Sequence, residues 1–321
     1  MDIISVSNLS KQFGDFKAVD NISFTVKKGE IFGFLGPNGA GKTTTINMLI
    51  GLMKPGTGAI KIAGYCGIRK IKKIQEIIGV VPDESNLYDD LSGYENLVFV
   101  ASLYGLDKKN SHEKAISLLA TFDLLEAKDR LFKAYSKGMK RKLTMAAGII
   151  HDPEILFLDE PTTGIDVMSA RKIREMIKDL NRQGTTIFLT THYIEDAQRL
   201  CDRIGFIVAG KIVAIDRLDS LMAQPPGENI MEITSESDLA VAATKIPMIF
   251  PGMEIVQAGH KSIRIKAPFE IELLPLLEYF AVQGHKIKEA RLVARTLEDV
   301  FVQITGTALS NPSNNQGGKR K

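Results

Sequence analysis

The chain has 321 residues, of which 44% are hydrophobic and 25% are charged, and its formal net charge at pH 7 is +3. Because single domains run to about 100–200 residues, this length predicts two domains, or one large domain with an appendage. The small net charge excludes a protein that binds nucleic acid mainly through bulk positive charge, and it also excludes an acidic disordered chain.

Neither the cysteines nor the apolar segments indicate a secreted or membrane-spanning protein. Cys66 and Cys201 match no metal-ligand spacing, so free thiols in a reducing compartment are expected. No run approaches the ~18 consecutive apolar residues of a spanning helix. The first residues, Met-Asp-Ile-Ile, lack the basic start and apolar run of a signal peptide. A cytoplasmic chain is expected, and any work on a membrane requires a partner.

The first 215 or so residues alternate short β-rich runs with helical patterns, which predicts an α/β architecture. The predicted strands cover residues 3–9, 16–26, 30–35, 155–158, 185–189 and 204–208. The predicted helices cover residues 41–52, 68–77, 93–104, 112–122, 167–182 and 194–200, with a further helix from Ser136 to about residue 150. The order of elements from residue 155 to 208 indicates parallel strands joined by crossover helices.

Residues 224–228, Gln-Pro-Pro-Gly-Glu, form the clearest break in the chain and predict a linker. Beyond it, strands are predicted at residues 230–233, 254–256 and 262–265, and helices at about 274–282 and 296–304. The sequence thus predicts a first domain over residues 1–222, a small α/β domain over residues 228–305 and a disordered tail over residues 306–321. The closing Lys-Arg-Lys of that tail is interpreted as a solvated end.

The strongest motif is a phosphate loop. Residues 36–44 fit the pattern G-x-x-x-x-G-K-[ST], with a predicted strand before them and a predicted helix after them. Glycines let successive backbone N–H groups point at phosphate oxygens, and the new helix adds its positive N-terminal end. Lys42 is predicted to contact the outer phosphates, and Thr43 to ligate Mg²⁺. The predicted nucleotide-binding residues here are Gly36, Pro37, Asn38, Gly39, Ala40, Gly41, Lys42, Thr43 and Thr44.

A second motif complements this loop. Residues 155–160, Ile-Leu-Phe-Leu-Asp-Glu, form an apolar strand that ends in two carboxylates. Asp159 is predicted to hold the Mg²⁺ shell, and Glu160 to polarise the water that attacks the terminal phosphate. The two motifs together predict a phosphate-loop ATPase or GTPase. A guanine-specific protein would carry an Asn-Lys-x-Asp element, and the sequence has none.

Residues 135–139, Tyr-Ser-Lys-Gly-Met, decide the subclass. They resemble the signature motif of ABC transporter ATPases, whose usual form is L-S-G-G-Q. Ser136 is also a good N-cap, and the helix start that it caps is a potential anion site. The resemblance implies that Ser136, Lys137, Gly138 and Met139 face the ATP held by an opposing subunit, so that two chains sandwich two nucleotides.

Three further residues match the same family. Asp166 lies in a segment, residues 161–166, that looks like the D-loop. His192 matches the switch histidine that contacts the terminal phosphate, and Phe13 matches the aromatic that stacks on adenine. Each has a plainer interpretation: a lone histidine is often structural, and a lone phenylalanine is often a core or strand-end residue. The six elements occur in the family's order, and the resemblance covers about residues 2–220.

The sequence departs from the family pattern at three positions. Asp83 stands where the Q-loop glutamine is expected, and it keeps an acceptor oxygen but loses the amide donor and one methylene of reach. Its own role in nucleotide binding is therefore open. In the signature, Lys137 and Met139 replace Gly and Gln. Lys137 either adds positive charge near the opposing phosphate or is simply solvated, and the sequence does not decide between these.

Residues 296–301, Thr-Leu-Glu-Asp-Val-Phe, together with the signature, resemble the ATPase subunits of drug, sodium and antibiotic-resistance exporters. The same pattern is also that of an amphipathic closing helix. The resemblance implies an α/β phosphate-loop ABC-type ATPase domain (parallel core sheet, antiparallel β subdomain, helical subdomain) with a small C-terminal α/β domain. It implies a homodimer that binds ATP and Mg²⁺ on the inner face of the cell membrane, with a separate multi-span permease and no nucleic acid. The alternative is a soluble ABC-type ATPase with a regulatory C-terminal ligand-binding domain.

Overall fold

The computed structural model of the protein describes residues 1–67, 69–223, 229–293 and 296–306. The chain divides into two compact units: the first is Met1–Leu218 together with the described residues from Phe301 onward, and the second is Asp219–Val300. The predicted linker at residues 224–228 lies outside the described residues, as does the predicted tail beyond Gly306. None of the helices in the described ranges combines the length and the apolar character needed to cross a bilayer.

The described residues contain 14 β-strands. They are β1 (Asp2–Phe13), β2 (Phe16–Lys27), β3 (Ile31–Leu35), β4 (Thr57–Ile62), β5 (Tyr65–Cys66), β6 (Ile78–Val81), β7 (Ile155–Asp159), β8 (Thr186–Thr191), β9 (Arg203–Val208), β10 (Lys211–Arg217), β11 (Asn229–Ser235), β12 (Glu254–Ala258), β13 (Ser262–Ala267) and β14 (Ile287–Leu292).

The same residues contain 12 α-helices. They are α1 (Lys42–Leu49), α2 (Ile71–Ile77), α3 (Gly93–Leu103), α4 (Lys108–Thr121), α5 (Lys137–Ile149), α6 (Val167–Arg182), α7 (Ile194–Leu200), α8 (Leu218–Met222), α9 (Ala240–Thr244), α10 (Ile246–Ile249), α11 (Leu273–Val282) and α12 (Leu297–Thr305). Two short 3₁₀ helices, Leu125–Ala127 and Phe132–Ala134, lie between α4 and α5.

The core of the first unit is a six-stranded sheet in the order β10-β9-β3-β8-β7-β6. The five strands from β9 to β6 are parallel, and β10 adds an antiparallel edge. Every residue of β3, β7 and β8 is buried, as expected for central strands of a parallel sheet that is covered on both faces. Because the strands are parallel, their carboxyl ends meet at one edge, with β8 between β3 and β7.

A second, antiparallel sheet in the order β2-β1-β4-β5 belongs to the same unit. Its strand β2 contributes Phe24, whose ring lies 5.7–5.9 Å from those of Phe32, Phe34 and Phe188 in the core sheet. Helices α3, α4 and α5 form a helical region, in which Ser92 and Glu95 make a capping box at the start of α3. The predicted α/β class, with a parallel core sheet, an antiparallel β subdomain and a helical subdomain, is confirmed.

The second unit contains a four-stranded antiparallel sheet in the order β12-β13-β11-β14. One face of this sheet packs on α9, α10 and α11 and forms a small core of its own. Its fully buried members include Ile233, Ile246, Ile263, Ile265, Leu276 and Phe280. The unit is thus a small α/β layer structure with helices on one face of an antiparallel sheet.

The boundaries of several elements differ from their predictions. Helix α4 begins at Lys108, because Asp107 caps it by accepting from the backbone N–H of Asn110, so the predicted start at residue 112 is wrong. Residue 68 of the predicted helix at 68–77 lies outside the described residues, and α2 begins at Ile71. Strands β4, β5, β6, β10 and β14 were not predicted.

Candidate active site

The phosphate loop joins β3 to α1, and its shape is dictated by close packing. Gly41 is the N-cap of α1 with φ 104°, and a Cβ there would lie 2.3 Å from the backbone oxygen of Ala18 on β2. A Cβ at Gly36 would lie 2.1 Å from the backbone oxygen of Ile207 on β9. Both positions therefore require glycine. The contacts hold the loop against the two neighbouring strands.

Helix α1 begins without a side-chain cap and without an acidic residue in its first turn. Its first N–H groups are therefore left for an anion, which is the arrangement that binds phosphate. Three threonines follow Lys42. Thr43 is exposed and Thr44 is half-buried. The Thr45 hydroxyl is buried and donates to the backbone oxygen of Gly41 at 2.8 Å, so it is already used.

Lys42 is 6% exposed and lies at the centre of the site. Its Nζ donates to the backbone oxygens of Gly36 at 2.8 Å and Pro37 at 3.1 Å. The same nitrogen lies 3.2 Å from Glu160 Oε1. The ammonium is thus held by oxygen atoms of the loop and of β7's end, and an ATP phosphate would offer it the same kind of partner.

Asp159 and Glu160 lie at the carboxyl end of β7. Asp159 is 4% exposed, and one of its carboxylate oxygens accepts a hydrogen bond from the Thr190 hydroxyl on the adjacent strand β8. In residues 1–67, 69–223, 229–293 and 296–306 there is no group of three or more His, Cys, Asp or Glu side chains that would hold a metal ion by itself. One carboxylate and the Thr43 hydroxyl fit Mg²⁺, which usually keeps several waters and binds phosphate oxygens.

Glu160 has a left-handed backbone, with φ 48°. For a residue with a Cβ this conformation costs about 1–2 kcal/mol, so surrounding contacts must hold it. Its N–H donates to the backbone oxygen of Thr190 at 3.1 Å. Strain of this kind is concentrated at functional sites.

The Glu160 carboxylate is a hub of hydrogen bonds. Oε2 accepts from His192 Nδ1 at 2.8 Å, from the backbone N–H of His192 at 3.3 Å and from the Thr163 hydroxyl at 3.2 Å. Oε1 is buried without a hydrogen-bond partner among the described residues, although Lys42 Nζ is 3.2 Å away. Burial alone would raise the pKa of Glu160, but the His192 hydrogen bond and the Lys42 charge outweigh it and hold the pKa below its ordinary value of 4.5. The carboxylate is therefore ionised at neutral pH, and its Oε1 can still accept a hydrogen bond.

Asp83 follows β6, the neighbour of β7 in the sheet. Its side chain is exposed, and its backbone oxygen accepts from Arg141 Nη1 at 3.1 Å. Partial burial of the carboxyl raises the pKa of Asp83, and the charges of Asp159 and Glu160 add to this, while Arg141 opposes it. Asp83 thus lies within electrostatic range of the two β7 carboxylates.

The signature residues begin α5. Ser136 is its N-cap, and Ser136 Oγ accepts from the Met139 N–H at 3.3 Å, as predicted. A Cβ at Gly138 would lie 2.7 Å from Ser169 Oγ, so the signature packs directly against the start of α6. There Asp166 is the N-cap and accepts from the Ser169 N–H at 2.9 Å and hydroxyl at 2.7 Å. The signature and the D-loop therefore share one surface.

Lys137 and Phe13 both lie at the surface. The Lys137 ammonium contacts Gly164, where an added Cβ would be 2.1 Å from Nζ. Phe13 ends β1 and is 47% exposed, so it is not a core residue. Lys11 Nζ lies 5.3 Å from the centre of its ring. The β1–β2 hairpin that carries Phe13 contacts the phosphate loop through the backbone of Ala18.

A buried cluster that was not predicted lies beside the site. Asp196 on α7 is 1% exposed, and its carboxylate accepts from the Thr162 hydroxyl and from Arg174 Nε at 2.7 Å. Burial raises the pKa of Asp196, and the bonds from Thr162 and Arg174 partly offset this. The cluster ties the D-loop segment to α6 and to the helix that follows His192. An Asp at that helix start, four residues after His192, was the available signal.

Comparisons with known proteins identify the family of the chain. A family model described as ABC transporter matches residues 19–163. The chain is 42% identical over 233 residues to the linearmycin resistance ATP-binding protein LnrL of Bacillus subtilis (strain 168), covering 72% of this chain and 75% of that protein. It is 33% identical over 305 residues to the daunorubicin resistance ATP-binding protein DrrA3 of Streptomyces coeruleorubidus, covering 94% and 96%.

Solved structures show the same likeness. An ATP binding subunit of an ABC transporter has a TM-score of 0.63 and 30% identity, over 68% of this chain and 91% of that chain. A dimeric ATP-binding cassette in a post-hydrolysis state, bound to ADP and Pi, has a TM-score of 0.63 and 25% identity, over 67% and 98%. The predicted family and ATPase activity are confirmed. The chain therefore belongs to the ATP-binding, ATP-hydrolysing subunits of the ABC transporter family, alongside relatives named for drug and antibiotic resistance.

Proposed function

We propose that this ATPase uses Glu160 as its general base and powers a membrane exporter built with a separate permease. The observation that carries the proposal is the position of the Glu160 carboxylate between Lys42 and His192, at the adjacent carboxyl ends of β3, β7 and β8. The carboxylate is ionised and buried, which is the state that a base needs.

In the proposed reaction, water attacks the terminal phosphorus of ATP in line with the bond to the leaving ADP oxygen. Glu160 accepts a proton from that water, and His192 holds the carboxylate through Nδ1–H. Lys42 leaves the loop oxygens and Glu160 to pair with the outer phosphates. Mg²⁺, when bound, offsets phosphate charge, and Thr43 and Asp159 are the residues that would hold it.

We further propose that two copies close on two ATP molecules. Each phosphate loop binds one nucleotide with residues 36–44, Phe13 stacks on its adenine, and Asp83 lies beside it. The partner copy supplies its Ser136–Met139 segment to the same nucleotide, with Asp166 lining the interface. The exposure of Ser136 and Lys137 at the start of α5 supports this, because a nucleotide held by another chain can reach both side chains. A related cassette is dimeric with ADP and Pi bound.

The surface after the Q-loop is proposed as the contact with the permease. Tyr88 is 55% exposed and Phe99 is 37% exposed, and their rings meet edge to face at 5.2 Å. Beside them, Asp89 pairs with Lys140 on α5 at 3.2 Å. A partner bound at this aromatic surface would therefore be linked to the signature helix. We therefore propose that the subunit lies on the inner face of the membrane.

The exporter proposal draws on relatives that are named for resistance and for export, including the fluoroquinolones export ATP-binding protein of Mycobacterium tuberculosis. The alternative is a soluble ABC-type ATPase whose second unit binds a regulatory ligand. Affinity purification of the tagged full chain from detergent-solubilised membranes separates them. A stoichiometric multi-span membrane protein supports the exporter, and its absence, together with a small-molecule effect on ATPase rate, supports the alternative.

The base assignment is tested by Glu160→Gln. Turnover of ATP is expected to fall at least ~100-fold, the usual contribution of general base catalysis, while the Kd for ATP stays within about threefold. Glu154→Gln is the matched control, because Glu154 precedes the same strand at its other end and its side chain is 51% exposed. Wild-type turnover in Glu160→Gln would sink the assignment.

A further inference from the structure

Arg141 on α5 makes contacts that the proposed reaction does not use. The residue is 7% exposed, and its guanidinium donates from all three nitrogens to backbone oxygens. Nε donates to Pro161 at 2.8 Å, and Nη2 donates to Asp159 at 2.7 Å. Nη1 donates to Pro82 and, at 3.1 Å, to Asp83. One side chain therefore joins the signature helix to the loop after β6 and to the end of β7.

The two β7-side acceptors lie on either side of Glu160. The Asp159 oxygen belongs to the peptide group between Asp159 and Glu160. The Pro161 oxygen belongs to the peptide group between Pro161 and Thr162. Glu160 itself has the left-handed φ of 48°. A planar guanidinium that binds oxygens on both sides of such a residue restricts the orientation of both peptides. It therefore restricts the direction in which the Glu160 side chain leaves the backbone.

This arrangement is not explained by stabilisation alone. Burial lowers the pKa of Arg141, and the nearby Asp83, Asp159 and Glu160 carboxylates oppose that effect. All four acceptors of the guanidinium are uncharged carbonyl oxygens, so the cation is buried without a directly bonded carboxylate. Well-packed apolar residues commonly serve stability as well as or better than a buried charge. The guanidinium instead fixes the relative positions of the carbonyl groups that it binds, since its N–H donors point in fixed directions.

We infer that Arg141 is a positioning residue, which fixes the backbone of Glu160 and links its placement to that of the signature helix and the Q-loop. The inference rests on the proposed role of Glu160 as general base. When α5 or the loop at residues 82–83 shifts, the fork shifts with it, and the carboxylate is moved relative to the phosphate loop. Arg141 itself contacts neither Lys42 nor the phosphate loop in the bonds described above.

The conservative variant Arg141→Lys tests this directly, because lysine keeps the charge but lacks the fork. Misplacement of a catalytic group by about 1 Å can cost ~100-fold in rate. We expect kcat for ATP hydrolysis by the full chain to fall about 10- to 100-fold. The KM and the Kd for ATP are expected to change less than about threefold, because the phosphate loop keeps its contacts.

Lys142→Gln is the matched control. Lys142 is the next residue on α5, is 9% exposed, and its Nζ lies 3.3 Å from the exposed Asp123 carboxylate. The substitution Lys142→Gln removes a buried charge from the same helix and leaves the contacts to residues 82–83 and 159–161 unchanged. The thermal unfolding midpoint of this variant is expected to fall because a buried cation is lost, while kcat stays within about twofold. If both variants lose kcat in proportion to stability, the role is structural and the inference fails.

A double variant separates the inference from the proposed function. If Arg141 acts through Glu160, Arg141→Lys added to Glu160→Gln lowers the single-turnover rate by less than about twofold, because residues acting as a unit are not additive. A further 10- to 100-fold loss in that background overturns the inference and leaves the base assignment intact. A Glu160→Gln enzyme with wild-type turnover overturns the base assignment itself. Wild-type kcat in Arg141→Lys overturns the inference alone.

Discussion

Replacing Lys42 by Met removes the cation that lies 3.2 Å from Glu160 Oε1. The two side chains are 6% and 9% exposed, so solvent screens the attraction between them only weakly. At an effective dielectric of about 20, two unit charges at this distance attract by about 5 kcal/mol. His192 and Thr163 still donate to Oε2, and removing one member of a buried pair commonly costs about 3–5 kcal/mol. We expect the nucleotide-free variant to lose about 3 kcal/mol of unfolding free energy at pH 7.

The loss is expected to depend on pH. In the wild type, the pKa of Glu160 lies below its ordinary value of 4.5, so ionised Glu160 stabilises the fold above that value and the contribution is lost as pH falls through the folded pKa. Lys42 is one of the causes of the lowered pKa, so Lys42→Met raises it. The difference between variant and wild type should therefore be largest at pH 7 and shrink toward pH 4.

Thermal unfolding followed by far-ultraviolet circular dichroism measures this difference. A loss of 3 kcal/mol corresponds to a fall of about 6–12 °C in the midpoint of a unit of this size. Adding Glu160→Gln to Lys42→Met removes the unpaired charge and should recover about half of the fall or more. An unchanged midpoint in Lys42→Met at pH 7, or a double variant no more stable than Lys42→Met, would refute the reasoning.

Three other changes have defined outcomes. Gly41→Ala places a Cβ 2.3 Å from the Ala18 oxygen at φ 104°, so ATP affinity measured by calorimetry should fall more than ~10-fold; an unchanged Kd contradicts this. Ser136→Ala removes the N-cap of α5 and should cost about 1 kcal/mol, seen as faster hydrogen exchange in its first turn. Phe280→Ala empties a fully buried site in the second unit and should cost about 3–5 kcal/mol, measured as a lower unfolding temperature of that unit; an unchanged transition contradicts it.

The phosphate loop and the β7 carboxylates were predictable because their signals are local. Glycines at fixed spacing and an apolar strand ending in two acids are each contiguous in sequence, so a short segment is enough to recognise either pattern. The N-cap of α5 was predicted for the same reason, since Ser136 accepts from the N–H group three residues away. Asp166 caps α6 in the same local way, but the sequence analysis gave it only a D-loop role. The rest of the chain contributes the parallel sheet, which brings the carboxyl ends of β3 and β7 together.

The contacts around Arg141 could not be predicted in the same way. Its four acceptors lie 59, 58, 20 and 18 residues away in sequence, so no periodicity or spacing announces them. Two of the strands that were not predicted, β6 and β14, were missed for simpler reasons. Strand β6 has only four residues, and β14, Ile-Lys-Glu-Ala-Arg-Leu, is a largely exposed edge strand with little apolar pattern. Edge strands commonly carry charged side chains, so they lack the apolar pattern from which a strand is predicted.

The central claim is that two copies of the chain dimerise around two ATP molecules and that Glu160 is the general base for hydrolysis. The mass of the Glu160→Gln protein in solution tests this claim most directly. Size-exclusion chromatography with light scattering, run with ATP and Mg²⁺, should give twice the mass of the monomer for this variant, because the bound nucleotide is not consumed. The wild type under the same conditions should return to the monomer as ATP is hydrolysed. A Glu160→Gln protein that binds ATP with wild-type affinity and remains monomeric at all protein concentrations would contradict the account.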